Sequence, residues 1–272
     1  MSRGSKIILS VVGVFILVVL GGFLYINANS GLDSSLSVIM SSSMQHDNDM
    51  SQIGKIDTGD VMVIKAPEKV DIYSYVEGTQ NGYRSFGDYG SVIIYDRGDD
   101  VNPVIHRAIV WLDYTRGTWS IPSLANYRGQ WSCTSGTDYM NLSGTLTFTD
   151  ITQSAKTVSI NLDSLKKQSG YLTMGDNPET NKYFDQGAGI VNYPIGNDDI
   201  KAVAVYEIPW MGVIKVYMTE SKRSYLEHVP NSIYSLIMLF VMVFTIIYCC
   251  DFYHTHKLTR AKEKELNEML QG

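Results

Sequence analysis

Two long runs without charged residues lie near the ends of the chain. Residues 7–26 contain no Asp, Glu, Lys or Arg, and neither do residues 229–250. At about 1.5 Å per helical residue, each run is long enough to cross a hydrocarbon core of about 30 Å. The first run is also longer than the apolar core of a cleaved signal peptide, which takes about 7–15 residues. The pattern predicts an N-terminal transmembrane anchor at residues 1–28 and a second transmembrane helix at 229–251.

Short apolar runs bounded by turn residues fill the segment between these spans. Runs at residues 58–66, 90–98 and 102–113 predict buried strands, and clean alternation at 144–150 and 156–163 predicts a hairpin. No long amphipathic helical pattern appears between the spans. This segment is therefore expected to be mainly β.

Three further stretches are assigned from local pattern. Residues 71–78 alternate between apolar and polar side chains, which favours another strand. Residues 198–218 predict two strands joined by a proline bend. Residues 27–37 are small and polar, and they predict a tether between the first span and the β-rich domain.

Flanking basic residues set the predicted orientation. Arg3 and Lys6 precede the first span, and four basic residues follow the second span, at positions 257, 260, 262 and 264. Lys222 and Arg223 compete on the opposite flank of the second span. Because Lys and Arg accumulate on the cytoplasmic side, both termini, including the tail at residues 252–272, are expected in the cytoplasm. Residues 29–228 would then form an extracytoplasmic domain of a two-pass protein of the cell membrane.

Charge and cysteine content exclude two classes of function. The chain has 22 Lys and Arg against 28 Asp and Glu, a formal charge of −6, which argues against a nucleic-acid-binding surface. The three cysteines, Cys133, Cys249 and Cys250, cannot form a fully paired disulfide framework, and none lies in a pattern with metal-ligand spacing. We expect neither a cofactor nor a metal.

A serine cluster, "SSSM" at residues 41–44, follows the first span closely. A serine hydroxyl is a weak nucleophile and needs an adjacent base, which is usually a neutral histidine. The predicted outer domain contains His46 beside the serines, His106 within a strand and His228 at the second span. A single histidine in an apolar strand is more often a hydrogen-bonded core residue, so the pattern by itself does not choose between them.

Four boxes follow the first span in a defined order. They are Ser41-Ser42-Ser43-Met44, Thr58-Gly59-Asp60-Val61, Ile105-His106-Arg107-Ala108, and Gly175-Asp176-Asn177 with Asp185. In this order the chain resembles type I signal peptidases of the archaeal and endoplasmic-reticulum branch, across residues 7–112 and 171–218. Those membrane serine proteases remove signal peptides from exported proteins. The resemblance implies signal peptides of secretory preproteins as substrates, with the lipid bilayer and the protein-export channel as candidate partners and no role for nucleic acid.

The resemblance also implies a role for each candidate residue. Ser43 would be the nucleophile and His106 the general base, at a position where the bacterial branch has lysine. Ser41 would help to stabilise the oxyanion together with the backbone N–H of Ser43. We expect Asp185 to orient His106, and Asp176 to hold its loop.

Two departures from the family pattern leave alternatives open. Ser42 stands where glycine is usual, which is compatible only if the backbone there has a negative φ. His46 stands in place of the usual proline and provides an alternative base, while Lys65 is a further rival that lies in the predicted strand at 58–66.

The connection at residues 113–170 is much longer than in the family and is interpreted as an inserted β-rich segment. It includes the sequon Asn141-Leu142-Ser143. A role in contacting substrate or a partner and a purely structural role both stay open for this segment.

Two other functions are compatible with the same residues. The first is a membrane-anchored binding or accessory subunit with a degenerate site. The second is a two-span serine protease that acts on another class of exported substrate. A cleavage assay on a precursor with a signal peptide distinguishes these possibilities.

Overall fold

The helices and strands alternate irregularly along the chain. The computed structural model describes residues 3–98, 102–135, 138–152 and 156–271. The α-helices are α1 (Arg3–Ser30), α2 (Tyr75–Asn81), α3 (Val213–Met218) and α4 (Pro230–Gln271). The strands are β1 (Leu36–Val38), β2 (Val61–Lys65), β3 (Arg84–Ser85), β4 (Asp88–Tyr89), β5 (Val92–Tyr95), β6 (Val104–Thr115), β7 (Thr118–Ser120), β8 (Gln130–Cys133), β9 (Thr145–Ile151), β10 (Lys156–Asn161), β11 (Gly170–Met174) and β12 (Ile200–Ile208).

Two compact units divide the chain. One unit comprises residues 1–28 and 233–272, and it contains most of α1 and α4. Each of these helices includes a stretch that is long and apolar enough to cross a membrane. The prediction of two apolar helices is therefore confirmed, and α4 continues into the polar C-terminal tail without interruption.

The second unit, residues 29–232, is β-rich, as expected. Its main sheet has the order β1-β2-β12-β5-β6-β11, with β7 added to β6, and the neighbouring strands run antiparallel. All four residues of β5 are buried, as the continuous apolar run at residues 90–98 predicts for a central strand. β6 is the longest strand, and it carries both His106 and Arg107.

The inserted segment forms a second, three-stranded sheet of β8, β9 and β10, and the hairpin expected at 144–163 is the β9–β10 pair. One face of this second sheet packs into the hydrophobic core of the domain. Phe148 on β9 packs in the same buried cluster as Val110 on β6, Leu172 on β11 and Phe184. Because the hydrophobic core is shared, residues 113–170 are an integral part of the domain.

Two predicted strands are helices instead. Residues 71–78 lead into α2, because the Ser74 side chain accepts from the backbone of Glu77 while Glu77 caps Ser74 in return. Gly82, with φ of 83°, ends this helix in the left-handed conformation. The second strand predicted in 198–218 is α3, in which Val213 and Val216 share one buried face at helical spacing.

The tether predicted at residues 27–37 is shorter than expected. α1 continues to Ser30, and Leu36–Val38 pairs with β2 as an edge strand of the main sheet. The serine cluster therefore begins three residues after a strand of the β-rich domain, which fixes where it starts.

Candidate active site

His106 and Asp185 form a buried pair. The imidazole Nδ1 of His106 lies 2.8 Å from each carboxylate oxygen of Asp185, and the two side chains are 4% and 1% exposed. Asp185 follows β11, and its backbone N–H donates to the carbonyl of Thr173 at 2.8 Å. The hydroxyl of Tyr95 on β5 donates to the same carboxylate at 2.6 Å. A charged partner for the imidazole is thus held from two strands, β5 and β11.

The Asp185 carboxyl stays ionised in this pocket. Burial on its own raises the pKa of Asp185, but electrostatic interaction with the His106 ring and hydrogen bonds from His106, Thr173 and Tyr95 together lower it below its ordinary value. Burial and the adjacent Asp185 charge raise the pKa of the Tyr95 phenol, so that Tyr95 remains a neutral donor. Among the described residues, no Lys or Arg forms an ion pair with Asp185, and the basic side chain beside it is His106.

Arg107, the next residue along β6, forms a second buried pair on the opposite face of the sheet. His106 stands opposite Ile93 and Arg107 opposite Val92, and successive strand residues point to opposite faces. Arg107 is 0% exposed and donates to both oxygens of Asp176, from Nε at 2.8 Å and from Nη2 at 2.5 Å. Its Nη1 also donates to the carbonyl oxygens of Ser85, Tyr89 and Gly90.

His46 shares Asp176 with Arg107. Its Nε2 lies 3.1 Å from Oδ2 of Asp176. Burial on its own raises the pKa of the Asp176 carboxyl, but the Arg107 guanidinium and, after it, His46 hold that pKa far below its ordinary value. Asp176 is bound by the side chains of Arg107 and His46, and its expected task of holding the loop stays a prediction. Lys65, the other rival base, lies half-buried on β2.

The loop of Gly175, Asp176 and Asn177 holds the serine cluster through its backbone. The Asn177 N–H donates to the carbonyl of Ser43 at 3.0 Å, and the Asn177 side chain donates to the carbonyl of Ser42 at 2.7 Å. Any Cβ at position 175 would lie 2.5 Å from the Ser43 carbonyl oxygen, so glycine is needed for this approach.

Asn181 completes this attachment and was not identified from the sequence. Its side-chain amide donates to the Ser43 carbonyl at 2.8 Å, and the residue is 9% exposed. No local signal marks it, because its partner lies 138 positions away along the chain. The serine cluster is thus fixed to the Gly-Asp-Asn loop at both Ser42 and Ser43.

The serine hydroxyls lie beside each other. Oγ of Ser41 and Oγ of Ser43 are 3.4 Å apart, and Ser42 is not among the residues with positive φ, which satisfies the condition set by its replacement of glycine. Met44 is 0% exposed and packs with Val92 and Ile105, on the Arg107 face of the sheet.

The candidate residues are therefore brought together in two groups. His106 pairs with Asp185, while Ser43 is attached to the loop of Asp176. Within the part of the chain that the structure describes, the Ser43 hydroxyl bonds to Ser41 and the His106 ring to Asp185, and no hydrogen bond joins Ser43 to His106.

Comparisons with known proteins identify no relative. No family model, no curated protein and no solved structure matches the chain. Function is argued below from the residues and their geometry.

Proposed function

We propose that this protein is a membrane-bound serine endopeptidase that cleaves N-terminal signal peptides from exported proteins. Ser43 is the nucleophile in this proposal and His106 is the general base. The observation that carries it is the buried His106–Asp185 pair, in which a carboxylate without another cation among the described residues faces Nδ1 of the imidazole. The ordered boxes and the two apolar helices support a membrane-bound substrate.

The carboxylates beside the two histidines differ in how far another cation already compensates their negative charge. Asp176 already receives two hydrogen bonds from the Arg107 guanidinium, so its negative charge is largely compensated before His46 approaches it. Asp185 has no such cation, and its charge is available to stabilise an imidazolium at His106. We therefore assign the base to His106 and a structural role to His46.

The proposed reaction is an acyl transfer through Ser43. With the Nδ1 proton held by Asp185, Nε2 of His106 keeps its lone pair and has no hydrogen-bond partner among the described residues. Ser43 Oγ attacks the scissile carbonyl and gives its proton to Nε2, which then protonates the leaving amine. The Ser43 N–H and the Ser41 hydroxyl stabilise the oxyanion, and water releases the acyl group. Catalytic hydrogen bonds are often long in free enzymes and shorten once substrate binds.

A cleavage assay with the detergent-solubilised full chain and a signal-peptide-bearing precursor tests the proposal. Ser43→Ala and His106→Ala should each abolish cleavage, while His46→Ala should keep substantial activity. Ser42→Ala is the matched control for a serine loss in the same loop. An inactive His46→Ala variant beside an active His106→Ala variant would transfer the role of base to His46.

A second candidate function, an accessory subunit with an inactive site, is favoured by the missing hydrogen bond between Ser43 and His106. In that case the precursor binds but is not cleaved, and Ser43→Ala binds it as well as the unchanged protein. Cleavage of exported precursors that lack a signal peptide would instead favour a protease for another substrate class.

The proposed topology places residues 29–228 outside the cell membrane and both termini in the cytoplasm. Protease added to sealed right-side-out vesicles should then digest the β-rich domain and leave the C-terminal tail protected. A protected domain with an accessible tail would contradict this orientation.

A further inference from the structure

A cavity of about 330 Å³ opens where the inserted segment meets the main sheet. Its walls come from α2, from β6 and β11, and from the 3₁₀ helix at Pro122–Asn126. The residues that define its chemistry are Glu77, Trp111, Asp113, Ser123 and Tyr171. None of them belongs to the serine, histidine and aspartate groups described above, so the cavity is a separate feature of the domain.

Two aromatic rings form one part of the wall. Trp111 and Tyr171 face each other on neighbouring strands, with ring centroids 4.7 Å apart and planes at 77°. Edge-to-face packing of this kind fixes both rings. The face of an aromatic ring is electronegative and attracts cations within about 6 Å, with tryptophan the strongest.

Two carboxylates line the same cavity, and in each only one of the two oxygens accepts hydrogen bonds. One oxygen of Glu77 accepts from the N–H and the hydroxyl of Ser74, and one oxygen of Asp113 accepts from the indole N–H of Trp111 at 2.7 Å. Within the described residues, the second oxygen of each accepts no hydrogen bond, and neither carboxylate pairs with Lys, Arg or His. Burial and then the Glu77 charge raise the pKa of the Tyr171 phenol, so the negative charge is felt within the cavity.

The inserted segment contributes a polar group without a partner. The hydroxyl oxygen of Ser123 is buried and, among the described residues, has no hydrogen-bond partner. A buried hydroxyl is costly to leave unpaired, and a rotamer change toward the cavity would bring it within reach of an N–H donor there.

We propose that this cavity binds an organic cation, a guanidinium or alkylammonium group. Two rings attract positive charge, and so do two carboxylates that each have one oxygen without a hydrogen bond; Ser123, once rotated toward the cavity, accepts a hydrogen bond from the cation. The surrounding residues 27–228 carry 16 basic against 24 acidic side chains, a net charge of 16 − 24 = −8, which draws cations toward the domain. This inference is independent of the proposed protease activity.

Calorimetric titration of the detergent-solubilised full chain tests the proposal. The probes are capped Ala-Arg-Ala and Ala-Lys-Ala peptides, the citrulline counterpart of the first, and methylguanidinium. At least one cationic peptide should bind at least tenfold more tightly than the citrulline peptide, which has nearly the same shape without charge. Equal affinity for methylguanidinium identifies a free organic cation as the ligand, whereas much weaker binding of it identifies a side chain borne by a peptide.

Matched variants locate the binding. Glu77→Gln retains the helix cap and Asp113→Asn retains an acceptor for Trp111, and each should weaken the cationic probes by roughly three- to tenfold. Glu68→Gln removes the same charge from an exposed residue outside the cavity and should have no effect. Unchanged melting temperatures show that the variants are folded. Equal binding of the citrulline peptide, absence of binding, or equal weakening by Glu68→Gln would overturn the proposal.

Discussion

Asp185 holds the imidazole of His106 with both carboxylate oxygens 2.8 Å from Nδ1, while Tyr95 donates to one of the same oxygens. This relationship fixes the ring and the position of its proton. Asparagine has nearly the same shape as aspartate but no charge. Asp185→Asn therefore separates the electrostatic contribution of this side chain from its contribution to packing.

Asp185→Asn should lower turnover by roughly three to four orders of magnitude, because an amide cannot stabilise the imidazolium and favours the wrong tautomer. The melting temperature of Asp185→Asn should differ only slightly from that of the unchanged chain. Tyr95→Phe removes only the neutral donor and should cost far less activity. Turnover of the two variants on a signal-peptide precursor is the measurement, and near-normal turnover of Asp185→Asn would contradict the assigned role.

Asp176→Asn should destabilise the fold by about 3–5 kcal/mol, because it leaves the fully buried Arg107 guanidinium without its counter-charge. Sequence pattern assigns Asp176 only the task of holding its loop and does not predict the Arg107 pair. Chemical denaturation measures the difference. Glu179→Gln, two residues after the loop, is the control and should be close to neutral. If both variants unfold at the same denaturant concentration, the Arg107 pair does not stabilise the domain.

Asn181→Ala removes a donor to the Ser43 carbonyl and should lower kcat with little change in KM, because Asn181 positions the nucleophile without touching the substrate. The loss of one hydrogen bond should cost about 1 kcal/mol in stability. Lys182→Ala, at an exposed neighbouring position, should leave both quantities unchanged. A higher KM with normal kcat would show that Asn181 contacts substrate instead. This prediction depends on Ser43 being the nucleophile.

Asp60 should make stability depend on pH. Burial first, and then the charges of Asp57 and Glu207, raise the pKa of the Asp60 carboxyl from 3.8 to about 7. The folded chain therefore keeps a proton that the unfolded chain releases near pH 4. The resulting stability is fully present below the unfolded-state value and is lost as pH rises through about 7.

The melting temperature should accordingly fall between pH 5 and pH 8, and the fall should be smaller in Asp60→Asn. That variant should be less stable at pH 5, since Asp60 accepts hydrogen bonds from the backbones of Asp57 and Trp210, one with each oxygen, and an amide has only one acceptor oxygen. A variant with the same pH dependence as the unchanged chain would assign the effect to other carboxyls.

Removal of the inserted segment should prevent folding. Phe148 of β9 is 0% exposed and packs edge-on against Phe184, the residue before Asp185, at a centroid distance of 6.2 Å. Phe148→Ala alone should cost about 3–5 kcal/mol. Deletion of residues 118–166 removes this whole layer, so the shortened chain should be recovered aggregated. A folded, soluble deletion variant, judged by a cooperative thermal transition, would show that the segment is dispensable.

The sequence predicts the main strands well because their apolar runs are continuous or strictly alternating, as in β5 and the β9–β10 hairpin. It fails at residues 71–78, where the reciprocal cap between Ser74 and Glu77 outweighs the alternation. It fails at α3 because a short apolar run fits a buried strand and a buried helix equally well.

The site is predicted in part. The resemblance marks both Asp176 and Asp185 as candidate acids, and the structure places both carboxylate oxygens of Asp185 at hydrogen-bonding distance from the His106 ring. Neither the His46–Asp176 contact nor the Asn181 donor follows from local pattern. Both depend on residues 175–181 folding against a segment more than 125 positions earlier in the chain.

The neighbouring positions of His106 and Arg107 on β6 have a consequence for how this domain can vary. One peptide unit separates a residue that faces Asp185 from a residue that faces Asp176, so inserting or deleting a single residue before them would exchange both charges between the two layers of the domain. Arginine would then lie on the Asp185 face of the sheet, and histidine on the Asp176 face. A change in the length of the loop before β6 is therefore tolerated only if His106 and Arg107 keep their respective faces of the sheet. The loops after β6 have no such restriction from these two residues.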